Sequence, residues 1–168
     1  NTLSPGDFAQ TLEKIALYKY GDASPLTPVD IEACAPLSHE AAMDDVLNVV
    51  AEARAAEIGP LLGRLEAQGT NATGLCIGAT RHFRTLYTIS ADTGGPASGI
   101  GRLRPPVFGP RRDRLLRQAQ NWRTDRLERA LSLLAETDLQ LRSAGRTAPA
   151  MALVERTLIR LAMMGAPR

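Results

Sequence analysis

Apolar residues recur at three- and four-residue spacing along almost the whole chain, in stretches fenced by proline, glycine and cap-forming side chains. That spacing lines up one face of a helix, whereas a half-buried strand needs strict alternation. Phe8, Leu12, Ile15 and Ala16 make the first stripe. Ser4 can cap it, Pro5 takes the first helical position and Asp7 sits at the positive end of the dipole. Thr27-Pro28 with Asp30 repeats this start for a short helix bearing Val29, Ile31 and Ala33, which runs to about Ala35. Pro36 breaks the chain and Ser38 restarts it, with Met43, Val46, Leu47 and Val50 on one side. A helix over 57–68 turns Ile58, Leu61, Leu62 and Leu65 inward, holds Pro60 in its first turn and stops at Gly69. Asn71 caps a longer helix to about Ala91, with Leu75, Ala79, Phe83, Leu86 and Tyr87 inside.

Residues 92–110 interrupt the periodicity. Gly94-Gly95-Pro96, Gly99, Gly101, Pro105-Pro106 and Gly109 predict a long loop. A basic helix over 111–120 follows and ends near Trp122. Thr124 caps the longest helix, to about Ala144, with Leu127, Leu131, Leu134, Asp138 and Leu141 on one stripe and Gly145 as its stop. A last helix over 149–164 presents Leu153, Leu158, Leu161 and Ala162. About eight helices and no convincing strand make the fold class all-α, a helical bundle with short loops. Aromatic residues at 4% and few β-branched ones agree with this. The best domain boundary lies at 36–38, and the two helices before it bury little alone. With a first residue other than Met, this predicts a piece of a longer protein with material upstream.

Several chemistries lack their residues. No run of about 18 apolar residues can cross a membrane, and no charged-then-apolar leader opens the chain. Cys34 and Cys76 lack a C-x-x-C spacing and read as reduced, buried thiols of a cytoplasmic protein. Gly94 to Gly101 is followed by no Lys-Ser or Lys-Thr and preceded by no apolar strand, so it cannot cradle a phosphate as a P-loop does. His39 and His82 have no second ligand at metal-binding spacing. Ser90 and Ser98 lack the frame of a nucleophile elbow. No catalytic residue, metal ligand or cofactor is expected.

Charge is distributed unevenly. Residues 1–57 hold three basic residues against ten acidic ones, and residues 58–168 hold seventeen against eight. An acidic face and a basic face would follow, the latter suited to nucleic acid or an acidic neighbour. Eighteen of the twenty basic residues are Arg, which a GC-rich genome would also produce. Arg111, Arg112, Arg114 and Arg117 crowd one helix surface while Leu115, Leu116 and Ala119 face away. With Trp122 they are the candidate contacts to DNA or another subunit, and a solvated face is the plain alternative. Asp138 stands on an apolar stripe with Arg142 four residues on. The two are expected to form a buried or half-buried structural ion pair, such that Asp138→Ala costs more than the roughly 0.5 kcal/mol of a surface change.

The order of these segments resembles the δ subunits of bacterial DNA polymerase III clamp loaders, alphaproteobacterial members most of all. Leu12-Glu13-Lys14-Ile15-Ala16-Leu17-Tyr18 is similar to the family's last lid helix, and Thr27-Pro28-Val29-Asp30-Ile31 to the helix start after it. Leu65-Glu66-Ala67-Gln68-Gly69 and Thr80-Arg81-His82-Phe83-Arg84-Thr85-Leu86 are similar to its next pair. Pro105-Pro106-Val107-Phe108, then 118–122, then Thr137-Asp138-Leu139-Gln140-Leu141-Arg142 with Gly145 complete the likeness, Arg142 standing where Lys is usual. The glycines of 94–101 and the small Gly109-Pro110 depart from the pattern. The resemblance implies a non-catalytic subunit with an AAA+-type fold. Residues 1–37 would end its lid domain, and residues 38–168 would form the collar that joins δ to the δ′ and τ/γ subunits. Primer–template DNA would be a further contact, and the sliding clamp would be bound by an N-terminal domain upstream of this chain. A free-standing helical nucleic-acid-binding module is the alternative reading.

Overall fold

A computed structural model describes residues 5–22, 24–34, 39–143 and 149–166. Among these residues the chain is all helical, with no strand. The helices are α1 (Pro5–Tyr18), α2 (Pro28–Cys34), α3 (His39–Ala51), α4 (Ile58–Ala67), α5 (Ala72–Ser90), α6 (Pro96–Gly101), α7 (Gly109–Trp122), α8 (Thr124–Ser143) and α9 (Ala150–Gly165), with a 3-10 turn at Ala55–Glu57. The predicted caps and stops at Ser4, Pro36, Ser38 and Gly145 lie outside the described residues, as does the side chain of His39. The chain divides into two compact units, Asn1–Ser38 and His39–Arg168.

In the first unit α1 packs on α2. The Thr27 hydroxyl accepts from the Asp30 N–H at 3.3 Å, and Asp30 Oδ2 accepts from the Thr27 N–H at 2.9 Å. This reciprocal cap satisfies helix donors that would otherwise be orphaned. Lys19 Nζ lies 2.9 Å from Asp22 Oδ2 and 3.3 Å from Asp30 Oδ2, tying the turn to the start of α2. The Ser24 N–H, then Lys19, bring the Asp22 carboxyl down to about 2. Most of the apolar stripe of α1 is unburied: Phe8 is 54% exposed, Leu12 and Ala16 are exposed, and Ile15 is half-buried; Leu17 and Tyr18 beside it are exposed too.

The second unit is built around α5, which packs most extensively on α8 and also meets α7, α6, α3 and α9. Asn71 opens α5, its Oδ1 accepting from the Gly74 N–H at 2.7 Å, as its side chain predicts. The predicted inner face is buried: Leu75, Ala79, Phe83 and Leu86 have no exposed surface. Gly69, at φ +86°, ends the α4 segment in the left-handed region that glycine reaches freely. Trp122 closes the core at the end of α7, stacked edge-to-face on Phe83 with ring centroids 4.8 Å apart. Its Nε1–H donates to the Ala51 carbonyl at 2.7 Å. A Cβ on Gly165 would stand 2.7 Å from the indole, so the end of α9 must be glycine for this ring to fit. Cys34 and Cys76 are both buried, free thiols.

One expectation is corrected. Residues 92–110 are not loop throughout, because α6 occupies Pro96–Gly101. Pro96 suits a first turn, and Gly95 at φ +79° provides the entry that a side chain would resist. Ile100 anchors the turn in the core, and a Cβ on Gly99 would collide with the Ile89 carbonyl oxygen. Here tertiary packing overrides a composition that reads as loop.

Candidate functional site

The basic tract folds as α7, entered through extended Phe108 and Gly109 at φ +61°. Arg111, Arg112 and Arg114 fall in its first two turns, where the helix dipole disfavours cations. Carboxylates of α3 and its C-terminal edge offset that cost. Arg111 Nη2 lies 3.1 Å from Asp44 Oδ2. Arg114 grips Glu52 with two nitrogens, Nε on Oε1 and Nη2 on Oε2 at 2.9 Å. Such a two-pronged pair is the strong form of the Arg–carboxylate contact. Arg54 Nη2 reaches Glu52 Oε2 as well, at 2.9 Å. Led by the Arg114 hydrogen bond, these contacts hold the Glu52 carboxyl down at about 2.

One turn on, Gln118 is only 2% exposed, yet its amide is fully engaged. Its Nε2 donates to Asn48 Oδ1 at 2.9 Å and to Glu52 Oε1 at 3.2 Å. Its Oε1 lies 3.1 Å from His82 Nε2 on α5, so the imidazole must carry its proton there and donate. Burial, opposed only in part by that hydrogen bond, lowers the His82 pKa to about 4 and keeps the ring neutral at pH 7. His82, Gln118, Asn48, Glu52 and Arg114 thus form one polar seam joining α5, α7 and the C-terminal half of α3.

The predicted contact residues therefore separate. Arg111 and Arg114 face α3 carboxylates, and Arg112 Nη1 is 3.9 Å from its neighbour Asp113. Arg117 is exposed and makes no ion pair among the described residues. Trp122 is corrected: at 0% exposure it is a core residue with no surface to offer a partner. Asp138 and Arg142 do pair, at 2.9 Å between Oδ2 and Nε, the carboxylate half-buried and the guanidinium exposed. The acidic face and basic face implied by the charge gradient are partly one interface within the second unit. Asp44, Asn48, Glu52 and Gln118 were not predicted as members of it. Position offered one signal, since Gln118 falls on the same stripe as Leu115 and Trp122.

Among the described residues no group of three or more His, Cys, Asp or Glu side chains could hold a metal ion. No helix among them is long and apolar enough to cross a membrane. The chemistry of the seam is cohesive: its carboxylate is bound by guanidinium groups and its imidazole is neutral.

No protein-family model matches the sequence, and no curated protein matches it either. A solved structure does, the Bacillus subtilis DNA clamp loader delta protein (YqeN), with a TM-score of 0.70 over 92% of this chain. The two share a fold. Sequence identity is 19%, and the chain spans 45% of the length of that delta protein. The match is too long to be confined to the second unit, residues 39–168.

Proposed function

We propose that this chain is the C-terminal, assembly part of a clamp-loader δ-type subunit. The observation that carries the reading is the fold likeness to the delta protein, which takes in 92% of the chain. The order of segments in the sequence supports it independently. On this reading residues 38–168 are the collar and residues 1–37 the end of the lid domain. The chain is cytoplasmic and non-catalytic, and its work is to bind the δ′ and τ/γ subunits. The sliding clamp is engaged by a domain upstream. The polar seam then has a plain purpose, since a collar domain must keep a fixed shape to pack in a ring.

The test is assembly. Mixed with the δ′ and τ/γ subunits of its own organism, the chain is expected to enter a complex of defined mass by size-exclusion chromatography with light scattering. A folded chain that fails to associate, together with a parent protein that also fails, sinks the proposal. A free-standing nucleic-acid binder is the second reading, and the seam weighs against it, because Arg111 and Arg114 are already engaged by carboxylates. Of the predicted basic contacts, Arg112 and Arg117 are left for primer–template DNA. Tight, steeply salt-dependent DNA binding by the chain alone would favour that reading instead.

A further inference from the structure

A cleft of about 600 Å³ opens on the second unit between α3, α5 and the strap of residues 103–108 that leads into α7. Its floor is apolar, made by Met43, Leu47 and Leu115. Its outer wall is the strap, where Pro105-Pro106 is followed by Val107 and by Phe108, an aromatic ring left 76% exposed. Two consecutive prolines restrict the backbone, so covering Phe108 costs little conformational entropy. Large exposed aromatic and Arg side chains around a concave apolar surface are the usual makings of an interaction site rather than of idle surface.

The rim fixes the charge of what fits. Arg81, Arg104 and Arg111 border the cleft, and Asp44 is the one carboxylate among the described residues that line it. Arg111 neutralises Asp44 at 3.1 Å. Arg104 donates from Nη1 to the Leu103 carbonyl at 3.0 Å, which keeps its guanidinium beside the strap. Neither Arg104 nor Arg81 pairs with a carboxylate among the described residues, so the rim carries two uncompensated positive charges. We propose that this cleft is the docking site of an acidic protein segment whose large aliphatic or aromatic side chains enter the floor while its carboxylates meet Arg81 and Arg104. A volume of this size lies within the about 300–1,000 Å³ of ordinary binding clefts and admits a few side chains at most. The apolar floor favours such a segment over a nucleic-acid backbone. The inference stands on this cleft alone and does not depend on the clamp-loader reading.

Displayed random twelve-residue peptides selected on the full chain provide the test. Enriched peptides are expected to combine Asp or Glu with a pair of large apolar residues. By fluorescence anisotropy their affinity should fall about tenfold or more in the R81E/R104E double variant, and by a similar factor in Phe108→Ser. All three side chains are exposed, so both variants should keep the far-ultraviolet circular dichroism of the parent. Amide shifts on peptide binding should cluster at 78–85 and 103–111. The proposal is overturned if no acidic peptide is enriched, if affinity survives both variants, or if the shifts lie elsewhere. It is equally overturned if a single-stranded oligothymidine displaces the peptide and binds the same residues more tightly.

Discussion

Gln118 on α7 and Asp138 on α8 each bring a polar side chain to the inward side of a helix, and the two regions treat that group in opposite ways. Around Gln118, α3 and α5 supply Asn48, Glu52 and His82, so both ends of the amide have partners. Around Asp138 one oxygen meets Arg142 of the same helix, and Oδ1 is buried with no partner among the described residues. Nearby lies the buried Cys76 thiol, whose pKa is raised first by burial and then by the Asp138 charge. A buried polar group stabilises when its donors and acceptors are satisfied, and it costs free energy when one is left unpaired. The α3–α7 seam is therefore an adhesive. The Asp138 site is a local compromise.

The largest expected effect separates the apolar share of the seam from the polar one. Trp122 shares the inner face of α7 with Gln118 and joins it to α3 through the Ala51 carbonyl. Trp122→Ala leaves a cavity against Phe83 and Gly165 and should cost about 3–5 kcal/mol in urea unfolding. A loss under about 1 kcal/mol would mean that the helices collapse around the gap and that the polar contacts alone hold α7.

Gln118→Leu comes next, at about 2–3 kcal/mol. The swap roughly conserves size but strands the His82 N–H and removes a donor from Asn48 and from Glu52. A neutral result would show that water replaces the amide, which would place the seam in the same class as the Asp138 site.

Local signals were legible in the sequence, and long-range ones were not. Asn71, Gly69 and the Thr27–Asp30 pair act within a turn of themselves, and each does what its chemistry predicts. The buried stripe of α5 was equally plain, since burial of one helix face is periodic. The glycines of 94–101 hid α6, because its support comes from Ile89 and the core rather than from its own residues. The partners of Arg114 and Gln118 lie 62 and 70 residues away, so no spacing rule could reach them. The arginines looked available for this reason.

Acid should dissolve the seam in two stages. His82 titrates at about 4 when folded against 6.5 otherwise, so the unfolded state takes up the proton first. Stability is then full above about pH 6.5 and falls as pH drops towards 4, by about 2 kcal/mol after discounting for partial exposure. Glu52, held at about 2 against 4.5, contributes stability that is present above about pH 4.5 and lost as pH falls through 2. Unfolding free energy measured from pH 7.5 to 2.5 should show both stages in the parent, and His82→Gln should remove only the upper one. An upper stage that persists in the variant would assign it to another group.

The smallest effect is expected at Asp138, where the ion pair and the unpartnered oxygen act in opposite directions. Asp138→Ala removes an ion pair to Arg142, whose side chain is 69% exposed, a contact worth about 0.3–0.5 kcal/mol. The same change removes the unpartnered Oδ1, takes a negative charge from the C-terminal part of α8 and introduces the better helix former. Gains and losses nearly cancel, and the variant should lie within about 0.5 kcal/mol of the parent or slightly above it. The buried Cys76 should respond too: with the neighbouring carboxylate gone, its thiol pKa moves down towards the ordinary range. A destabilisation above about 1 kcal/mol would show that Oδ1 has a partner after all, and the contrast with Gln118 would then close.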